Sequence, residues 1–291
     1  MRVRASAKIN LSLRVLGTRR DGYHELQTVF QSIALHDTLT IRRASGPLRL
    51  TCDDPSLACD RGNLVWRAAD ALWKSAGRRG AARGVAIHLD KRIPVQAGLG
   101  GGSSDAAATL RALQRIWRVD PECVSDAAVR LGADVPFFLE GGTVLGLGRG
   151  DVLFPLIDRP REWVVLVVPP FGVTTAEAYR WWDRGPKRPA PHVERPFQGR
   201  RQAVNDLQRV VVKRHPEISR LVRAFARAGA AGAAMSGSGS AVFGLFKTRA
   251  DAERAADAVH RPRWRTFVTR TVTREEYHRP GLFAGTGLAA N

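Results

Sequence analysis

Residues 94–105, Pro-Val-Gln-Ala-Gly-Leu-Gly-Gly-Gly-Ser-Ser-Asp, are the stretch of this chain best equipped for chemistry. Gly98, Gly100, Gly101 and Gly102 leave the backbone without Cβ atoms, so several amide N–H groups can turn toward one anion. Ser103, Ser104 and Asp105 are residue types that start helices, and beyond them Leu110, Leu113, Ile116 and Trp117 recur at helical spacing. A glycine loop feeding a helix N-terminus combines unpaired N–H groups with the positive end of the helix dipole, which makes a phosphate site. The loop lacks Gly-Lys-Ser/Thr, so it is not a Walker A loop. Ser103 stands where a dinucleotide fingerprint needs glycine. A flexible loop before an ordinary helix would leave four glycines losing backbone entropy to no purpose.

Other groups are weaker by themselves. Lys8 and Asn10 lie two residues apart on a strand pattern and therefore on one side, where a lysine is ordinarily a solvated charge. Asp134, in Gly-Ala-Asp-Val-Pro-Phe-Phe, could merely cap a helix with Pro136 in its first turn. Gly237-Ser238-Gly239-Ser240 is a linker as often as a site. Tyr23 and His24 follow Arg20-Asp21-Gly22, and Thr175 and Tyr179 lie in Gly-Val-Thr-Thr-Ala-Glu-Ala-Tyr.

The loop resembles the Pro-x-x-x-Gly-Leu-Gly-x-x-Ser-Ser phosphate loop of the galacto-, homoserine, mevalonate and phosphomevalonate (GHMP) kinase superfamily. Ser-Ala-Lys-Ile-Asn-Leu-Ser-Leu, residues 6–13, resembles the opening motif of its 4-diphosphocytidyl-2-C-methyl-D-erythritol kinase branch, and the resemblance runs through nearly the whole chain. Galactokinases and mevalonate kinases carry Gly-Glu-His after this strand; here Leu16-Gly17-Thr18 stands instead. The resemblance implies an α/β (α+β) two-domain GHMP-kinase fold, with an N-terminal ribosomal-protein-S5-like domain and a C-terminal ferredoxin-like domain. It implies ATP on Pro94, Val95, Gln96, Ala97, Gly98, Leu99, Gly100, Gly101, Gly102, Ser103 and Ser104, with Asn63 and Lys91 on the adenine side. Asp134 is then the catalytic base, and Lys8 stabilises the developing alkoxide. Tyr23 stacks on cytosine and His24 bonds its polar edge, with Thr175 and Tyr179 completing that pocket; many relatives have phenylalanine at the Tyr179 position. Asn10, Gly237, Ser238 and Gly239 join the substrate side. Mg2+ accompanies ATP, with Ser104 or Asp105 as the groups that could hold it.

These groups need elements to position them. Val3, Ala5, Ala7, Ile9, Leu11, Leu13 and Val15 alternate with polar residues, which predicts a half-buried strand. Residues 17–22 read as a loop, and Tyr23 to Ile41 as extended chain. A helix starts at Asn63, Val85 to Leu89 is a strand, and helices follow the glycine loop and cover Glu122 to Leu131. Trp163 to Val168 reads as a strand covered on both faces. Residues 181–201, rich in Pro and Arg, read as a surface loop or lid, and the tail from Pro280 as loosely held. Ile218, Leu221, Val222, Phe225 and Ala226 make an amphipathic helix, followed by a strand from Ala241 to Phe246. The expected division is 1–152 for ATP and catalysis and 153–291 for substrate.

Composition narrows the classes. A chain of 291 residues can bury a full core. No apolar run reaches membrane-span length, and Met-Arg-Val-Arg opens without a signal-peptide core. Three cysteines without a C-x-x-C pair fit a reduced, cytoplasmic protein, and the seven histidines show no metal-ligand spacing. The net charge of +19 is spread along the chain without a dense basic run, which favours anionic small molecules over nucleic acid as partners. The expectation is a monomer or homodimer that binds no nucleic acid and no membrane.

Overall fold

The computed structural model describes residues 1–185 and 203–279, and its chain divides into two units, each built from separate stretches. The first unit takes residues 1–7, 35–95 and 100–140; the second takes 8–34, 96–99 and 141–291. Strands β1 (Arg2–Thr18) and β2 (His24–Pro47) each contribute to both.

In the first unit, β3 (Arg49–Cys52) runs parallel to β4 (Arg83–Asp90), and β4 pairs antiparallel with β2 from Thr38 to Pro47. Alternation sets the faces: Leu39, Ile41, Val85, Ile87 and Leu89 are buried, while the residues between them look outward. Helix α1 (Leu64–Ser75) buries Val65, Ala68, Ala69 and Leu72 at helical spacing, and the Asn63 side chain caps it by accepting from the Val65 N–H. Helix α2 (Gly101–Trp117) is buried almost all round from Ser104 to Leu113, because alanines at 106–108 and 112 let α1 and α3 (Pro121–Leu131) pack close. The short α4 (Phe137–Glu140) buries both phenylalanines.

In the second unit, β5 (Thr143–Gly148) pairs with β2, and β6 (Val152–Pro155) pairs with β5. Strand β7 (Trp163–Val168) is buried on both faces from Val164 on, as its continuous apolar run predicts. Helix α5 (Thr175–Asp183) starts with a capping box between Thr174 and Glu177. Then come β8 (Val204–Asn205), which adds parallel to β1, α6 (Gln208–Val211) and α7 (Pro216–Arg227). Strands β9 (Gly232–Met235) and β10 (Val242–Phe246), helix α8 (Arg249–Val259), β11 (Arg265–Arg270) and α9 (Arg274–His278) finish the described chain. The antiparallel order β11-β7-β10-β9, with α7 and α8 packed on the sheet, is the β-α-β-β-α-β ferredoxin-like arrangement. Ile218, Leu221 and Phe225 carry α7 into a core with Val165, Val167, Met235 and Phe246. Burial of each such side chain contributes about 1.5–3 kcal/mol.

The structure corrects three local readings. β1 is not half-buried in its middle: Lys8 and Asn10 are as enclosed as Ile9. Helix α2 begins at Gly101, inside the glycine run, rather than after the serines. Trp181 to Asp183 belong to α5, because the Trp181 and Trp182 rings pack on the second unit's core; residues 186–202 and the tail from Pro280 lie outside the described residues.

Candidate active site

Lys8 is 3% exposed, far from the solvated charge that a strand lysine usually is. Asn10 fixes it: the Lys8 ammonium donates to Asn10 Oδ1 at 2.6 Å. The Asn10 amide donates in turn to Thr28 Oγ1 at 2.7 Å, and Thr28 donates to the Ser12 carbonyl at 2.7 Å. With both ends of its amide occupied, Asn10 has one orientation, and the ammonium inherits it. The Lys8 ammonium also lies 5.4 Å from the Phe30 ring centroid.

Two glycine turns meet beside this pair. The Lys8 N–H donates to the Leu99 carbonyl at 3.0 Å, and the Ala241 N–H to the Ala97 carbonyl at 3.1 Å. Ser236 Oγ bridges, accepting from the Asn10 N–H at 3.3 Å and donating to the Gly98 carbonyl at 2.9 Å. Gly98 has φ +75°, and a Cβ there would sit 2.1 Å from the Ser236 carbonyl oxygen. Gly237 has φ +54°, and its missing Cβ leaves room 3.3 Å from the Lys8 ammonium. Asn205 holds this second turn from behind, donating its amide to the carbonyls of Met235 and Gly237, each at 2.7 Å.

The other half of the loop belongs to the first unit. Gly100 is the N-cap of α2 in the left-handed region and makes no side-chain cap, so the helix opens with glycine amides. Ser104 Oγ does not cap it either; it donates to the Ser6 carbonyl at 2.7 Å. Beneath the first turn lies a buried ion cluster. Lys91 donates to Asp105 Oδ2 at 2.8 Å and to Asp37 Oδ2, while Asp37 Oδ1 accepts from the N–H groups of Arg92 and Ile93 at 2.6 and 2.7 Å. A Cβ on Gly101 would come within 3.0 Å of the Lys91 ammonium and of the Ile93 side chain. Burial pushes the Asp105 carboxyl up to about 8, with the Lys91 charge opposing and Asp37 adding to the rise. For Lys91 burial acts downward, but the two carboxylates outweigh it and the ammonium is raised.

Asn63, expected beside adenine, uses its Oδ1 on the cap of α1 and donates its amide to the Ala58 carbonyl at 2.8 Å. Lys91 points its ammonium into the ion cluster. Neither Ser104, whose hydroxyl is engaged and 1% exposed, nor Asp105, which is buried and paired with the Lys91 ammonium, fits a divalent cation. Among the described residues no three metal-ligating side chains gather. Asp134 is half-buried in the turn ahead of α4, in the first unit, whereas Lys8 belongs to the second.

His24 and Tyr179 come together from distant parts of the chain, with ring centroids 4.4 Å apart and planes 20° from parallel. Trp182 meets the His24 edge at 5.4 Å, and Asp183 Oδ1 lies 2.8 Å from His24 Nε2. Thr175 Oγ1 is 3.3 Å from Ser238 Oγ, which ties α5 to the second glycine turn. Tyr23 is 56% exposed and has the Arg149 guanidinium 5.0 Å from its ring centroid. An aromatic shelf thus stands next to a glycine turn that shares Ser236 and Gly98 with Lys8.

The model of the GHMP kinases N terminal domain matches residues 63–142, and that of the GHMP kinases C terminal domain matches residues 197–263. The 4-diphosphocytidyl-2-C-methyl-D-erythritol kinase of Pelotomaculum thermopropionicum is 45% identical over 92% of this chain and 96% of its own length. That of Moorella thermoacetica is 42% identical over 92% and 98%. The chain belongs to the 4-diphosphocytidyl-2-C-methyl-D-erythritol kinase family. A crystal structure of a 4-(cytidine 5'-diphospho)-2C-methyl-D-erythritol kinase superposes with a TM-score of 0.76 at 38% identity, covering 93% of this chain and 99% of that one. Homoserine kinase from Cytophaga hutchinsonii, at 18% identity, TM-score 0.67 and 94% coverage of both chains, shares the fold.

For a member of this kinase family, the sequence reading missed Ser236, Thr28 and Asn205, which hold the Lys8 side of the site, and Asp37, which holds the entry to the glycine loop. Trp182, Asp183 and Arg149 were also missed. Pairing of β1 with β8, which places Leu13 opposite Asn205, is the kind of long-range contact that local pattern does not carry.

Proposed function

We propose that this chain transfers the γ-phosphoryl group of ATP to the 2-hydroxyl of 4-diphosphocytidyl-2-C-methyl-D-erythritol, giving the 2-phosphate and ADP, in the non-mevalonate route to isoprenoid precursors. The observation that carries the reading is the buried Lys8–Asn10 pair, locked through Ser236 to the glycine loop. A buried ammonium beside glycine backbone that carries no Cβ suits charge that develops on a transferring phosphoryl group. In this reading the loop from Pro94 to Ser104 binds the phosphates through backbone N–H groups. Asp134 accepts the proton of the attacking hydroxyl, and Lys8 stabilises the oxygen as the proton leaves. The hydroxyl oxygen forms the new P–O bond while the bond to ADP breaks.

Mg2+ would enter with the nucleotide and would help neutralise its phosphate charge, since the Ser104 hydroxyl and the Asp105 carboxyl are engaged elsewhere. Tyr23, His24, Thr175 and Tyr179 take the cytosine; residues 153–291 serve mainly the substrate, joined by Tyr23 and His24 from residues 1–152, which serve mainly ATP and catalysis. Asn63 and Lys91 shape the adenine side through the backbone they hold. The protein works in the cytoplasm as a monomer or homodimer on a small molecule, with no nucleic-acid or membrane partner; no helix among the described residues is long and apolar enough to cross a membrane.

The test is ADP release measured with the cytidylylated substrate beside mevalonate, homoserine and galactose. Turnover with the first alone is expected. Equal or greater turnover with another alcohol overturns the substrate, and no turnover with any overturns the kinase reading for this chain.

A further inference from the structure

We propose that the open face of the first unit's sheet is a second anion site, built for a small ligand that carries two or more phosphate groups. The strand registers make two rows on that face. Thr51, His88 and Thr40 lie side by side across β3, β4 and β2, and Arg49, Ala86 and Arg42 lie side by side in the next row. Arg2 reaches the same basin from the start of β1, next to Met1, whose carbonyl accepts from the Ile41 N–H. The basin has a volume of about 770 Å³ and is completed by Asp90 and the edge of Ile87. That is the size of a small-molecule site, roughly 300–1,000 Å³.

The shape follows from residue size. Ala86 puts only a methyl group between two arginines, and strands about 4.8 Å apart place those arginines roughly 10 Å from each other, one on each side of the gap. Two guanidinium forks can then close on one phosphate chain, each matching a pair of phosphate oxygens.

Charge supports the same assignment. Arg2, Arg42 and Arg49 have no ion-pair partner among the described residues, whereas Arg14, Arg149, Arg159 and Arg270 each face a carboxylate. The single carboxylate in the basin, Asp90, faces His88 Nε2 at 3.5 Å. Arg4, two residues along β1 from Arg2, has its guanidinium lowered by burial and by the Arg2 charge, so positive groups are crowded here. Three uncompensated guanidinium groups around a concave floor draw a polyanion more strongly than the same charges spread over a convex surface. The lining contains no Phe, Tyr or Trp on which unpaired bases would stack, which favours a small polyphosphate over single-stranded nucleic acid. None of the lining residues belongs to the glycine loop, so the inference stands apart from the kinase reading.

Arginine footprinting with phenylglyoxal locates the site directly. Inorganic tripolyphosphate, added to the full chain at physiological ionic strength, is expected to slow modification of Arg42 and Arg49 saturably, while the exposed Arg220 and Arg227 of α7 react at their original rates. In titration calorimetry, Arg42→Ala with Arg49→Ala should weaken one tripolyphosphate site by roughly tenfold or more. The charge-matched pair Arg220→Ala with Arg227→Ala should leave it intact. Equal protection of all four arginines, or equal loss in both double variants, would mean diffuse attraction and overturn the site. A short single-stranded RNA that protects Arg42 and Arg49 better than tripolyphosphate would overturn the small-ligand assignment.

Discussion

Gly98→Ala is the sharpest perturbation the structure offers. The new Cβ would lie 2.1 Å from the Ser236 carbonyl oxygen, 3.0 Å from its carbon and 3.1 Å from the Gly239 nitrogen. All three are backbone atoms of the facing turn, so no flexible side chain can swing away. The residue also sits at φ +75°, where alanine is disfavoured by about 1–2 kcal/mol relative to glycine. Opening the contact separates Gly98 from Ser236, breaking the 2.9 Å bond and pulling at the 3.3 Å bond to Asn10. Each is worth about 1 kcal/mol. The expected destabilisation is thus roughly 3–4 kcal/mol, or on the order of 10 °C in Tm for a chain of this size. Gly17→Ala is the control: no atom lies within 4 Å of its Cβ and its φ is ordinary, so its Tm should hold or rise slightly. Thermal unfolding and ATP kinetics are measured on both. Because Ser236 also supports Asn10, Gly98→Ala should lower turnover even well below its Tm. A variant that melts and turns over like the parent would refute the argument that the two glycine turns are locked together.

Four other outcomes follow from the site. Asp134→Asn keeps the shape but removes the base, so turnover should fall by roughly 10²–10⁴ with KM little changed; near-normal turnover in a single-turnover assay removes Asp134 from its role. Lys8→Met should lower turnover while ATP binding, followed by calorimetry, persists, and undiminished turnover contradicts the alkoxide role. Tyr179→Ala should raise KM for the cytidylylated substrate far more than for ATP, and Tyr179→Phe should be nearly silent because it keeps the ring against His24; equal damage to both KM values counts against a cytosine shelf. Asp105 has a folded pKa, about 8, above its unfolded value, so its contribution to stability is complete below the unfolded pKa and is lost as pH rises through about 8. Urea unfolding of the parent should therefore weaken across that window relative to Asp105→Asn, and a difference independent of pH excludes the raised carboxyl.

Periodicity made most of the fold legible. The alternation from Val3 to Val15, the i, i+3, i+4 spacing from Ile218 to Phe225, and the unbroken apolar run at Trp163 each encode burial along one element, and each element forms there. Reading failed where burial comes from a second layer. Lys8 and Asn10 look outward by alternation, yet Ser236 from 226 residues away covers Asn10. The start of α2 differs for a related reason: Ser104 would suit a cap, but the Ser6 carbonyl takes its hydroxyl, and the helix opens at Gly101, about one turn earlier than cap chemistry suggests.

The ion cluster shows why part of a site stays hidden in sequence even when its motif is plain. Asp37, Lys91 and Asp105 come from β2, the end of β4 and the first turns of α2, and nothing in their spacing marks them as a set. What joins them is the antiparallel pairing that places Thr38 opposite Asp90, which brings Asp37 beside the chain just before the loop. Asp37 then receives the Arg92 and Ile93 N–H groups that a turn at this point would otherwise leave buried and unpaired. Removing one partner would leave a buried charge uncompensated, a loss of about 3–5 kcal/mol for such pairs. The glycine loop is therefore flexible by composition but not in context. In the second unit Ser236 pins Gly98; in the first, the Asp37–Lys91–Asp105 cluster holds residues 91–93 and the first turns of α2. Glycine leaves the loop amides free of Cβ atoms, and within each unit a buried clamp holds that unit's part of the loop.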